Sequence, residues 1–218
     1  MARKLTEASS NGRTADFGSA YEGSNPSASA NFGTSGDADL ERDELRVVNV
    51  PGEVVLVGLG NLPPRVLTEV AHGLRDALGV AWQPGPLLDR PAYAYNESRR
   101  QYHAHAILRR LAALRGGAAA PLVGICDADL FIPEDGDYVI GDADRDAGVA
   151  ILSLTRLAGE PDAVRRRARV EGLSMLGRLL GLSACHDYRC AMFSSIDARD
   201  ADRKAPGLCA SCRGALEP

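Results

Sequence analysis

The sequence predicts one α/β domain with a metal-stapled C-terminal subdomain. Runs of β-branched and apolar residues, such as Glu53–Gly58, Leu122–Cys126 and Val149–Ser153, read as strands. Between them lie stretches whose apolar residues recur at spacings of three and four, as in amphipathic helices. Four of the five cysteines cluster near the C-terminus as Cys185-x4-Cys190 and Cys209-x2-Cys212. That spacing suits a tetrahedral zinc held by four thiolates.

The chain has 218 residues, 45% of them hydrophobic, enough for one sizeable core. Its formal net charge of −4 disfavours broad nucleic-acid or anionic-membrane binding. No apolar run reaches the length of a membrane span, and no apolar core follows the charged N-terminus as in a secretory signal. An odd number of cysteines, four of them clustered, favours a metal site in a reducing, cytoplasmic setting over a disulfide framework.

Residues 1–45 are rich in Ser, Gly, Ala and Asn and show no period of 2 or 3.6. Disorder is the expectation there. Gly23-Ser24-Asn25-Pro26 is also what the transfer-RNA T-arm sequence GGTTCGAATCC encodes in one frame. Two readings stand: a natural flexible tail, or roughly the first 30 residues as a gene-model artefact with translation starting nearer Val47.

Arg46–Val50 and Glu53–Gly58 are expected strands. Asn61 is placed to cap a helix whose first turn holds Pro63 and Pro64. Leu67, Val70, Leu74 and Leu78 form its apolar stripe, Gly79 ends it, and His72 is a partly exposed helix residue. Val80–Trp82 is a short strand, and Gln83–Pro91, with three prolines and a glycine, is a loop. Asn96 is placed to cap a helix over Glu97–Leu114. On such a helix His103 and His105, two residues apart, point to different sides and do not share an ion.

Leu122–Cys126 is a strand with Cys126 as a small buried hydrophobe. Asp127 and Asp129 follow it, either as a cation site or as loop polarity. Tyr138–Ile140 and Val149–Ser153 are expected to form a hairpin around the acidic turn Gly141–Gly148. Asp142, Asp144 and Asp146 alternate there without the later Glu and flanking helices of an EF-hand, so calcium is not expected. Glu160-Pro161-Asp162 opens a long helix that runs to Gly181. Its arginines Arg165, Arg166, Arg167 and Arg169 form a solvated face or meet acidic neighbours.

The chain resembles the archaemetzincins, zinc metallopeptidases with a metzincin fold. Their pattern is similar to H-E-x-x-H-x-x-G-x-x-H-C, four residues, C-x-M, a linker and C-x-x-C. Here Gly181 matches the fixed glycine, Cys185 the first cysteine, Cys190-Ala-Met192 the C-x-M and Cys209-Ala-Ser-Cys212 the last pair. Arg100-Gln-Tyr102, Asp127–Pro133 and Ser153–Leu157 resemble family segments in the right order, so the likeness covers nearly all of 46–212. The resemblance implies a metzincin-like twisted mixed sheet with packed helices over residues 46–214. Residues 185–212 would form the structural zinc subdomain, with Cys185, Cys190, Cys209 and Cys212 as ligands. It also implies that Val149–Ser153 is an edge strand able to pair with an extended peptide, and that Met192 corresponds to the family's Met-turn, here core packed near Met175.

The same register places Ser174, Met175, Arg178 and Ala184 where the family has His, Glu, His and His. Hydrolysis needs neutral imidazoles on zinc and a carboxylate to take the water's proton, and none stands here. A guanidinium ~4 Å from a divalent ion is repelled by ~8 kcal/mol at an effective dielectric of ~20. The family resemblance therefore points to a pseudopeptidase with one structural zinc, no catalytic zinc and no catalytic residues. Other readings are an active peptidase with non-standard ligands, with His186 as a conceivable donor, and a non-enzymatic partner-binding zinc module.

Overall fold

The computed structural model describes residues 50–134 and 136–216. The 1–45 tail and residues 46–49 of the expected first strand lie outside them, and Val50 is in no strand.

The chain runs β1 (Glu53–Leu59), α1 (Val66–Leu78), β2 (Ala81–Leu88), β3 (Tyr95–Asn96), β4 (Gln101–His103), α2 (Ala104–Arg115), β5 (Leu122–Cys126), β6 (Leu130–Phe131), β7 (Gly141–Asp144), β8 (Val149–Ser153), α3 (Pro161–Leu179), α4 (Ala198–Arg203) and α5 (Ala210–Gly214). The main sheet has five strands in the order β2-β1-β5-β8-β7. Its first four are parallel and β7 runs antiparallel to β8. A small second sheet orders β3-β4-β6.

Alternation along the central strands builds two cores. Leu56, Ile125 and Leu152 face α1 and α3, while Val57, Leu122 and Ile151 face α2. Both faces are covered, so β5 and β8 are buried at every position, as continuous apolar runs require.

Several expectations are corrected. Val149–Ser153 is not an edge strand: β5 and β7 pair with its two sides, and the antiparallel edge is Gly141–Asp144. Acidic residues can form an edge strand because one side of each peptide stays hydrated. The hairpin exists, but its turn is Arg145–Gly148, and Tyr138–Ile140 contributes a single bridge from Val139 to Leu130. The proline-rich stretch after Trp82 continues as β2, which lies on the opposite edge, where proline costs no ladder bond.

Asn61 does not cap α1. Its N–H donates to Asp127, and Arg65 is the N-cap residue in the left-handed region. The helix expected from Glu97 starts at Ala104. The Asn96 side chain caps a tight turn instead, accepting from Arg99 N at 3.0 Å, and Arg100 ends that turn at φ 55°. Gln101 is then buried in β4, donating to Asp129 and to the Asp137 carbonyl. Tertiary pairing with β6 thus overrides the helical pattern.

On α3, Pro161 sits in the first turn as expected. The arginines meet acidic neighbours: Arg166 and Arg167 reach Asp202 on α4, and Arg169 reaches Asp76 on α1. After α3 the chain reverses at Gly181, whose φ of 86° suits glycine. Among the described residues no helix is long and apolar enough to cross a membrane.

Candidate metal site and cleft

The segment after Gly181 folds back on itself through backbone bonds rather than through an apolar core of its own. Cys185 N donates to the Met192 carbonyl at 3.0 Å, and Ala191 N to the Gly207 carbonyl at 2.9 Å. These bonds bring the sulfurs of Cys185, Cys190, Cys209 and Cys212 within 4.8 Å of one another. A tetrahedral zinc with Zn–S bonds of about 2.3 Å sets its sulfurs about 3.8 Å apart. Cys185 Sγ and Cys209 Sγ are 3.7 Å apart.

Backbone amides support the sulfurs. Asp187 N donates to Cys185 Sγ, Met192 N and Cys209 N to Cys190 Sγ, and Cys212 N to Cys209 Sγ. The last bond, more than any other influence, draws the Cys209 thiol down to about 7, whereas burial pushes Cys190 and Cys212 up. All four are free thiols in a geometry compatible with zinc. His186 is exposed beside this group.

The second feature is a cleft of about 410 Å³ beneath the β7 edge. Residues 137–142 form one wall. Glu171, Met175 and Arg178 form the floor, on one face of α3, and Ser195 and Ile196 close the far side. Met192 is buried below α3. A Cβ on Gly177 would stand 2.4 Å from its sulfur, so only glycine lets the loop approach this closely.

Of Ser174, Met175, Arg178 and Ala184, Met175 and Arg178 line the cleft. Ser174 is buried in the helix without lining the cleft, and Ala184 is exposed on the cysteine side. None of the four histidines lines the cleft. Among the described residues, the four cysteines are the one group of three or more His, Cys, Asp or Glu side chains close enough to share an ion.

His103 and His105 do come together, with ring centroids 5.5 Å apart, because His103 is in β4 rather than in the helix. His105 Nε2 meets Asp142 at 3.3 Å, while His103 Nδ1 is buried without a hydrogen bond. Asp127 and Asp129 hold Arg90 and Arg156, which resolves their polarity as ion pairing. Asp144 caps its own turn through Ala147 N.

Two cleft residues, Glu171 and Ser195, and the lysine buried behind them escaped the sequence reading. Glu171 accepts from Ser195 Oγ at 2.7 Å and from Lys204 Nζ at 2.8 Å. Lys204 also donates to the Ala191 carbonyl at 3.1 Å. A signal existed: the chain has 25 basic residues, and after Lys4 the single lysine is Lys204.

Fold and site together define a metzincin-like α/β protein with a four-cysteine C-terminal subdomain. Residues 84–218 match peptidase family M54. The archaemetzincin of Halobacterium salinarum is 31% identical over 170 residues, covering 73% of this chain and 96% of that protein. That of Aeropyrum pernix is 33% identical over 165 residues, covering 71% and 87%. The crystal structure of archaemetzincin from Methanopyrus kandleri superposes with a TM-score of 0.63 at 28% identity, covering 77% of this chain and 97% of that one. The chain belongs to the archaemetzincins, peptidase family M54.

Proposed function

We propose that this archaemetzincin is a pseudopeptidase: residues 46–214 form one domain that holds a single structural zinc and binds extended peptides without cutting them. The observation that carries this reading is the composition of the cleft floor. Where hydrolysis needs imidazoles and a free carboxylate base, the helix presents Met175 and Arg178, and the floor's carboxylate, Glu171, is held by Lys204 and Ser195. Met175 cannot take a proton, and the Arg178 guanidinium repels a divalent ion. The fit fails on donor chemistry, so no hydrolytic step is assigned.

The four cysteines serve folding. Zinc there would displace their protons and fasten Cys209 and Cys212 to the turn after α3. Four thiolates of this kind belong in a reducing compartment such as the cytoplasm. The peptide surface is the outer edge of β7, not Val149–Ser153, which has no free side. Main-chain pairing with an edge strand requires no metal.

The test is to incubate the zinc-loaded full chain with a fluorescence-quenched library of extended peptides and to follow binding and cleavage in parallel. Binding without cleavage is expected. Cleavage that a hydroxamate blocks would contradict the reading.

A further inference from the structure

Among the described residues, the cleft contains one cation without a partner, Arg178. Arg165, Arg166, Arg167 and Arg169 on α3 all engage a carboxylate. The guanidinium of Arg178, on the cleft face of the same helix and half-buried, has no hydrogen bond or ion pair among the described residues. Holding a guanidinium in a partly enclosed groove costs free energy unless an anion meets it.

The neighbouring acids are already occupied. Glu171 lies two turns back on the same face, but Lys204 and Ser195 hold its Oε1. Asp142 faces His105 at 3.3 Å. Asp137 stands exposed at the rim, where water screens it. Lys204 offsets Glu171, Asp142 is turned toward His105 and Asp137 lies out at the rim, so the Arg178 guanidinium stands on the cleft floor with no carboxylate of the described residues against it. Burial lowers the Lys204 pKa, Glu171 opposes that shift, and the charge on Arg178 adds to it.

We infer that Arg178 is a carboxylate anchor: it receives, in bidentate fashion, the carboxylate of a ligand lying in the cleft. This builds on the peptide-binding reading of the same cleft. A planar carboxylate matches the guanidinium fork, and the β7 edge beside it offers main-chain pairing to the rest of an extended peptide. The carboxylate comes from a peptide C-terminus or from an acidic side chain.

The test uses the zinc-loaded full chain and four probes: glutarate, a fluorescent extended peptide as the free acid, the same peptide as the C-terminal amide, and an amide carrying an internal Glu. Binding is read by anisotropy for the peptides and by the Arg178 Nε–Hε NMR signal for all four. Arg178→Gln, which removes no side-chain hydrogen bond or ion pair among the described residues, should melt at or slightly above the temperature of the parent chain. Expected are a shift of the Arg178 signal with glutarate and at least tenfold tighter binding of a carboxylate-bearing peptide than of the plain amide. That advantage should vanish in Arg178→Gln and persist in part in Arg178→Lys.

A free-acid preference assigns the C-terminus, and a preference for the internal Glu assigns the side chain. Equal binding of all peptides overturns the anchor while sparing the peptide cleft. A glutarate shift with no peptide binding sustains the anchor and removes the peptide reading. No response to any probe, or a preference that survives Arg178→Gln, overturns the anchor.

Discussion

Lys204 places its ammonium 2.8 Å from Oε1 of Glu171, with both side chains almost wholly enclosed, so that the C-terminal subdomain is tied to α3 by a buried ion pair. Removing one partner strands the other charge out of water. Lys204→Met should cost about 3–5 kcal/mol in urea unfolding. Adding Glu171→Leu should recover most of that loss, because a matched apolar pair leaves no uncompensated charge. A double variant as unstable as the single one would show that the pair acts through something besides charge compensation.

Asp202 gives the acid limb of stability. Arg167 foremost, with Arg166, holds its carboxyl down at about 2 against an ordinary 3.8. A carboxylate depressed by folding stabilises above its unfolded pKa, and the benefit fades as pH falls from about 4 to about 2. The side chain is 33% exposed and solvent screens it, so its contribution is about 1 kcal/mol. Asp202→Asn should lower stability at pH 7 by that amount and match the parent chain near pH 2. This is read from urea unfolding across the pH range.

Thiol chemistry separates the fifth cysteine from the four. Burial pushes the Cys126 thiol up to about 12, so it stays protonated and shielded at neutral pH. The zinc-loaded protein should present no reactive thiol to an alkylating reagent at pH 8. Chelation should release the four clustered cysteines, and denaturation should then release Cys126. Ready labelling of Cys126 in the native protein would contradict its burial at the end of β5.

Much of the fold was legible because periodicity and burial agree in the sheet centre. Glu53–Leu59, Leu122–Cys126 and Val149–Ser153 are apolar enough to be strands under any packing, and Gly79 and Pro161 mark helix ends by backbone geometry alone. The misreadings fall where partners distant in sequence decide. Gln101–His103 is a strand because β6 pairs with it, and Gly141–Asp144 is an edge because β8 already has β5 on its other side. At the site, cysteine spacing was sufficient, since thiolates announce themselves. The Glu171–Lys204 pair was not legible, because 33 residues separate its members and nothing local demands that they meet.

The most direct test of the account is the zinc content of the purified full chain, measured by inductively coupled plasma mass spectrometry after desalting. One zinc per chain, lost when Cys209 is changed to Ser, is the expected result. Two zincs per chain, or one that survives the loss of Cys209, would contradict the separation of a shape-holding ion from a cleft that holds none.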